Sequence, residues 1–180
     1  EMLRSLVGSE MCIRDRHCKE RLDPSTLTVV SPDMGRVRVA DMWSDQLGVP
    51  LAIIHKRRDP KVANEVTVHD IVGDVEGRVC LLVDDLIDTG GTIVKAAQAL
   101  KDNGATGVIV AATHAVFSDP AAERLDCDYI DEVVVTDTLP IPERKRFENL
   151  TVLSIAPMLA RAINEVFQDG SVTSMFDGAA

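Results

Sequence analysis

Val79-Cys80-Leu81-Leu82-Val83-Asp84-Asp85-Leu86-Ile87-Asp88-Thr89-Gly90-Gly91-Thr92 decides the reading of this chain. The five apolar residues that open it are too few for a helix and rich in branched side chains. They predict a parallel strand buried on both faces, ended by two carboxylates. Ile93 to Leu100 then carries apolar residues at 93, 96, 97 and 100, the period of an amphipathic helix. Strand, glycine-bearing loop and helix together predict a phosphate cradle. Gly90 and Gly91 admit close approach of the backbone, Thr89 and Thr92 add hydroxyl donors, and the helix N-terminus supplies free amides and partial positive charge.

The acids need a separate explanation, because a carboxylate repels phosphate unless it faces something else. Asp84 and Asp88 suit hydrogen bonds from sugar hydroxyls, or Mg2+ held directly or through water. The combination describes a phosphorylated sugar. Read alone, Asp88 to Thr92 is equally a plain turn with a helix cap, and the buried strand and double acid weigh against that reading.

A chain of 180 residues amounts to about one domain with a substantial core. Its 46% hydrophobic and 27% charged residues are those of a soluble globular protein. Lys+Arg 19 against Asp+Glu 29 leaves a net charge of −10, which argues against a nucleic-acid or anionic-membrane partner. No apolar run approaches the roughly 18 residues of a membrane span. Cys12, Cys18, Cys80 and Cys127 lack a CxxC spacing, as expected of reduced thiols in a cytoplasmic protein.

Residues 1–21 stand apart: they hold Arg4, Arg14, Arg16, Lys19 and Arg21, show no clear period, and carry too many acids for a targeting peptide. Glu1 to about His17 is expected to be foreign or misassembled coding sequence, so 1–21 is set aside as an atypical, non-native or disordered leader. The alternative is a surface helix left from an upstream domain. From residue 22 to 180 one domain is expected. Strands are predicted at Leu27 to Val30, Leu51 to Ile54, Val79 to Val83, Gly107 to Ala112, Glu132 to Thr136 and Thr151 to Ile155, with a short flag or hairpin at Glu65 to His69. Helices are predicted from Val37 to Leu47, stopped by Gly48, over the central 93–100 segment, stopped by Asn103-Gly104, from Pro120 to Leu125, and from Pro157 to Phe167. This alternation implies right-handed crossovers and an α/β fold, a mainly parallel sheet flanked by helices.

Lys56, Arg57 and Arg58 follow a predicted strand end in a stretch with the character of a mobile loop. A charge run of this kind is usually a solvated patch. In an acidic chain, three cations at the carboxyl end of a strand also suit a transferred phosphoryl or diphosphoryl group, whose oxygens gather negative charge in the transition state.

The 84–92 stretch resembles the phosphoribosyl-diphosphate (PRPP) binding motif of type I phosphoribosyltransferases and of the ribose-phosphate diphosphokinase (PRPP synthetase) family. Ser31-Pro32-Asp33, Lys56 to Arg58, Thr113-His114, Phe117 to Pro120 and Ser171 to Phe176 extend the likeness to the C-terminal half of the synthetases, over about Val29 to Phe176. The resemblance implies a type I phosphoribosyltransferase-like fold and transfer of the diphosphate of ATP to the C1 hydroxyl of ribose 5-phosphate, giving PRPP and AMP with Mg2+. By position, Lys56 and Arg58 match the catalytic cations. Arg58, Asp84, Asp85, Asp88, Thr89, Gly90, Gly91 and Thr92 match the ribose 5-phosphate site, and Asp33 a metal-associated carboxylate. The resemblance further implies phosphate or ADP as allosteric effectors and a homo-oligomer, a hexamer in this family. Two departures stand out: Ser31 to Arg36 holds one glycine where many members have two, and the family's N-terminal domain has no counterpart in these residues. The competing expectations are a PRPP-consuming phosphoribosyltransferase and a noncatalytic regulatory subunit, both disfavoured by the loop cations.

Overall fold

A computed structural model describes residues 11–58 and 67–172, and for 11, 12, 15, 16, 56–58 and 67–69 the backbone alone. The chain runs α1 (Met11–Arg21), β1 (Leu27–Ser31), α2 (Val37–Leu47), β2 (Leu51–Arg58), β3 (Thr67–Val72), β4 (Val79–Ile87) and α3 (Gly91–Asp102). It continues with β5 (Gly107–Ala115), α4 (Ala121–Leu125), β6 (Glu132–Thr136), β7 (Leu150–Leu153) and α5 (Ala156–Phe167). The strands form one sheet in the order β3-β2-β1-β4-β5-β6-β7. All neighbours are parallel except β2 and β3, an antiparallel pair in which Ile53 faces Val72 and Arg58 faces Thr67.

The apolar runs explain this arrangement, because a parallel strand covered by helices must be apolar on both sides. Leu81, Val83 and Val29 pack with Ala40 and Trp43 of α2 on one face. Cys80, Leu82 and Val110 pack with Ile93, Ala97 and Leu100 of α3 and with Ala121 and Leu125 of α4 on the other. Each fully buried Leu, Ile or Val in these layers contributes about 1.5–3 kcal/mol. Helix α2 ends where expected: Gly48 takes φ 67 and its amide donates to Asp45 O, while Val49 N donates to Ser44 O. After β3, Gly73 sits at φ 119, and a Cβ there would lie 2.7 Å from Ala52 Cα.

Three expectations change. The carboxylates do not end β4, which continues to Ile87 because β5 runs equally far and pairs Leu86 with His114 and Ile87 with Ala115. Lys56, Arg57 and Arg58 are not beyond a strand end but within β2, since β3 supplies their backbone partners. The flag or hairpin expected at Glu65 to His69 is met by β3 over Thr67–Val72, and residues 65 and 66 lie outside the described residues. Of the segment set aside as a leader, Met11–Arg21 forms a helix, with Cys18 packed in the α2 layer.

Candidate functional site

Strand order places the site. The chain passes from β1 outward to β2 and β3, then returns to β4 on the other side of β1, so the carboxyl ends of β1 and β4 flank a topological switch point. A cleft of about 390 Å³ opens there. It is lined by Asp33 and Arg36 after β1, by Asp84 to Ile87 of β4, and by Asp88 to Ile93 at the start of α3. Eight residues singled out from the sequence, Asp33, Asp84, Asp85, Asp88, Thr89, Gly90, Gly91 and Thr92, thus meet in one cavity. The side chains of Lys56 and Arg58 lie outside the described residues, as do residues 173–176 of the tail.

Backbone conformation builds the cradle. Gly90 caps α3 at φ 72, a left-handed turn that swings the chain from β4 into the helix. A Cβ on Gly90 would stand 3.3 Å from Leu125 Cγ, so strain and crowding both select glycine. Gly91 is less constrained, its nearest neighbour being the mobile end of Arg124 at 3.4 Å. Arg124 Nη1 donates to Thr89 O at 3.1 Å and ties the loop to α4. With the carbonyl held, the amides that open α3 are left for an anion, reinforced by the helix dipole.

The two acids differ in their surroundings. Asp84 Oδ1 accepts from Asp85 N at 2.8 Å, and Asp85 Oδ1 accepts from Leu86 N at 2.8 Å. Arg36 spans both: its Nε lies 3.4 Å from Asp84 Oδ1 and its Nη2 2.6 Å from Asp85 Oδ2. The Asp84 side chain is 17% exposed against 41% for Asp85. Burial, with a smaller contribution from Asp85, pushes the Asp84 carboxyl up to about 6, against the opposing pull of the Asp85 amide and Arg36. The sequence motifs do not single out Arg36. Its only signal there is position, three residues after Asp33 on the turn Met34–Arg36. That turn is itself capped by Asp33, whose Oδ1 accepts from Gly35 N at 2.8 Å.

Other sequence-selected residues support the site from outside the cleft. Phe117 is buried at φ 47, its amide donates to Ile87 O at 3.0 Å, and its carbonyl accepts from Lys145 Nζ. His114 Nδ1 pairs with Thr138 Oγ1 at 2.9 Å, next to a Thr136 hydroxyl that donates to Thr113 O. Among the described residues, no three His, Cys, Asp or Glu side chains converge as a metal cage. Asp33 retains one uncommitted carboxylate oxygen among the described contacts, and the cleft offers only hard oxygen donors.

Sheet order, switch-point cleft and glycine-threonine turn define the class, an open and mainly parallel α/β domain with a cradle at its switch point. Within that class, the chain belongs to the phosphoribosyl synthetase-associated domain family, whose model matches residues 59–177. It is 64% identical over 157 residues to a ribose-phosphate pyrophosphokinase of Streptomyces avermitilis, covering 87% of this chain and 48% of the relative. The corresponding enzyme of Mycobacterium bovis is 58% identical over 165 residues, covering 91% and 51%. The solved phosphoribosylpyrophosphate synthetase of Mycobacterium smegmatis superposes with a TM-score of 0.76 at 50% identity, covering 91% of this chain and 51% of that one. The chain spans about half the length of the curated relatives it matches.

Proposed function

We propose that this chain is the sugar-phosphate half of a ribose-phosphate pyrophosphokinase, transferring the diphosphate of ATP to the C1 hydroxyl of ribose 5-phosphate. The observation that carries the reading is the meeting of Asp84 with the Asp88 to Thr92 turn in one switch-point cleft. Its amides and hydroxyls suit the 5-phosphate, and Asp84 suits the ribose hydroxyls. The C1 oxygen attacks the β-phosphorus of ATP, the bond from that phosphorus to the α,β-bridging oxygen breaks, AMP leaves, and the hydroxyl proton passes to solvent or a neighbouring base. Such transfer depends on positioning and on cations around the phosphoryl oxygens. Lys56 and Arg58 are the residues of this chain suited to that task. Their backbone lies on β2, two strands from β4.

Asp33 is the residue that would hold Mg2+, which neutralises charge on the diphosphate when bound. An ion of this kind uses one or two carboxylates plus substrate phosphates, which fits a cleft with acids but no assembled protein cage among the described residues. The reading further includes a cytoplasmic homo-oligomer, hexameric by family resemblance, with phosphate or ADP as effectors. Among the described residues no helix is long and apolar enough to cross a membrane.

The test joins the N-terminal half of the Streptomyces avermitilis relative to this chain, α1 included, and measures AMP release from ATP. Release that requires both ribose 5-phosphate and Mg2+ is expected. AMP release independent of the sugar, or PRPP consumed with a nucleobase as acceptor, would refute the proposal.

A further inference from the structure

The double acid is asymmetric, and Arg36 makes it so. Asp85 has both oxygens committed, Oδ1 to Leu86 N and Oδ2 to Arg36 Nη2 at 2.6 Å. Asp84 has one oxygen committed, Oδ1, shared between Asp85 N and Arg36 Nε. Among the described residues, the amide and guanidinium contacts of the Asp84 carboxyl both fall on Oδ1, with the Asp85 carboxyl close beside it. Arg36 is positioned for this from outside β4. It ends the turn Met34–Arg36, which Asp33 caps, and that turn leaves β1, the parallel neighbour of β4. A planar guanidinium whose Nε and Nη2 engage different carboxylates fixes both at once, which a flexible ammonium does not.

We propose that Arg36 is a specificity-determining positioning residue: anchored on Asp85, it orients Asp84 so that one carboxylate oxygen faces the cleft for a ribose hydroxyl. Asp85 is then the anchor and Asp84 the ligand. This rests on the sugar-phosphate reading of the cleft and gives the two adjacent acids different tasks. Discrimination at the ring hydroxyls follows, because an acceptor held at one angle rewards a hydroxyl in one place and gains nothing where that hydroxyl is missing.

The experiment compares the affinities of ribose 5-phosphate and 2-deoxyribose 5-phosphate by calorimetry for the 180-residue chain and for Arg36→Ala, Arg36→Lys and Asp85→Asn, with thermal unfolding as a check of the fold. In the parent, the ribose form is expected to bind more tightly. Arg36→Ala should reduce that preference about tenfold, the scale of one charge-assisted hydrogen bond, with little change for the deoxy sugar. Asp85→Asn should do the same, and the double variant should be no worse than either single one, since all act through Asp84. Lysine should restore little. Equal losses for both sugars, additive losses in the double variant, or an unchanged preference would overturn the positioning role while leaving the site intact. Absence of parental binding to either sugar phosphate would instead overturn the reading of the cleft, and this inference with it.

Discussion

Replacing Asp84 with Asn should stabilise the fold near neutral pH and remove sugar binding. An ordinary aspartate titrates near 3.8, whereas Asp84 is pushed up to about 6, chiefly by burial. The folded chain therefore holds this proton more tightly than the unfolded chain. The sign follows: the contribution of Asp84 to stability is greatest below 3.8, declines as pH rises through 6, and is a net cost above it. At about 1.4 kcal/mol per pH unit, the interval amounts to about 3 kcal/mol at pH 7. Asn avoids that cost, and the attraction of Arg36 at 3.4 Å is already counted in it, because Arg36 opposes the upward shift. The gain is about 3 kcal/mol. Urea unfolding of both proteins at pH 4 and pH 7.5 measures it. The variant should match the parent at pH 4 and exceed it at pH 7.5. Equal stability at pH 7.5, or the same difference at both pH values, would refute the claim that burial of a charge sets this residue apart. A binding acid that destabilises its own fold is the usual sign of a functional site.

Gly90→Val should cost about 1–3 kcal/mol of stability and weaken ribose 5-phosphate binding, because φ 72 and Leu125 at 3.3 Å both oppose a side chain; melting temperature and calorimetry report the two effects. Gly91→Val should be milder, since only the end of Arg124 need move. In a two-half enzyme, Lys56→Ala and Arg58→Ala should lower turnover far more than they raise the ribose 5-phosphate KM, the pattern of contacts made in the transition state. Steady-state kinetics decides, and weakened binding at full turnover would place them in a ground-state role. The 180-residue chain expressed alone should unfold cooperatively, release no AMP and self-associate through Leu159, Ile163, Val166 and Phe167, which are 46–87% exposed along α5. Sedimentation should show this association, and Ile163→Glu should relieve it.

Much of the fold is legible in short-range pattern. Val37–Leu47 and Glu132–Thr136 are helix and strand at the predicted limits, because period, branched side chains and a left-handed Gly48 are local properties. The extents of β2 and β4 are not legible. A strand goes on as long as a neighbour supplies hydrogen bonds: β4 is prolonged by β5, distant in sequence, and β2 by the hairpin partner β3, whose register the apolar pattern does not carry.

By itself the sequence determined the residue types of the cradle and acids, since glycine at a left-handed turn and hydroxyls before a helix are chemical requirements written into 84–92. Only the tertiary structure decided which acid is buried, which one Arg36 anchors, and that Asp33, 51 residues before Asp84, shares its cleft. Those outcomes depend on β1 lying beside β4. Adjacency in a parallel sheet is created by crossovers that bury apolar faces, and the polar residues at the strand ends are brought together only as a consequence.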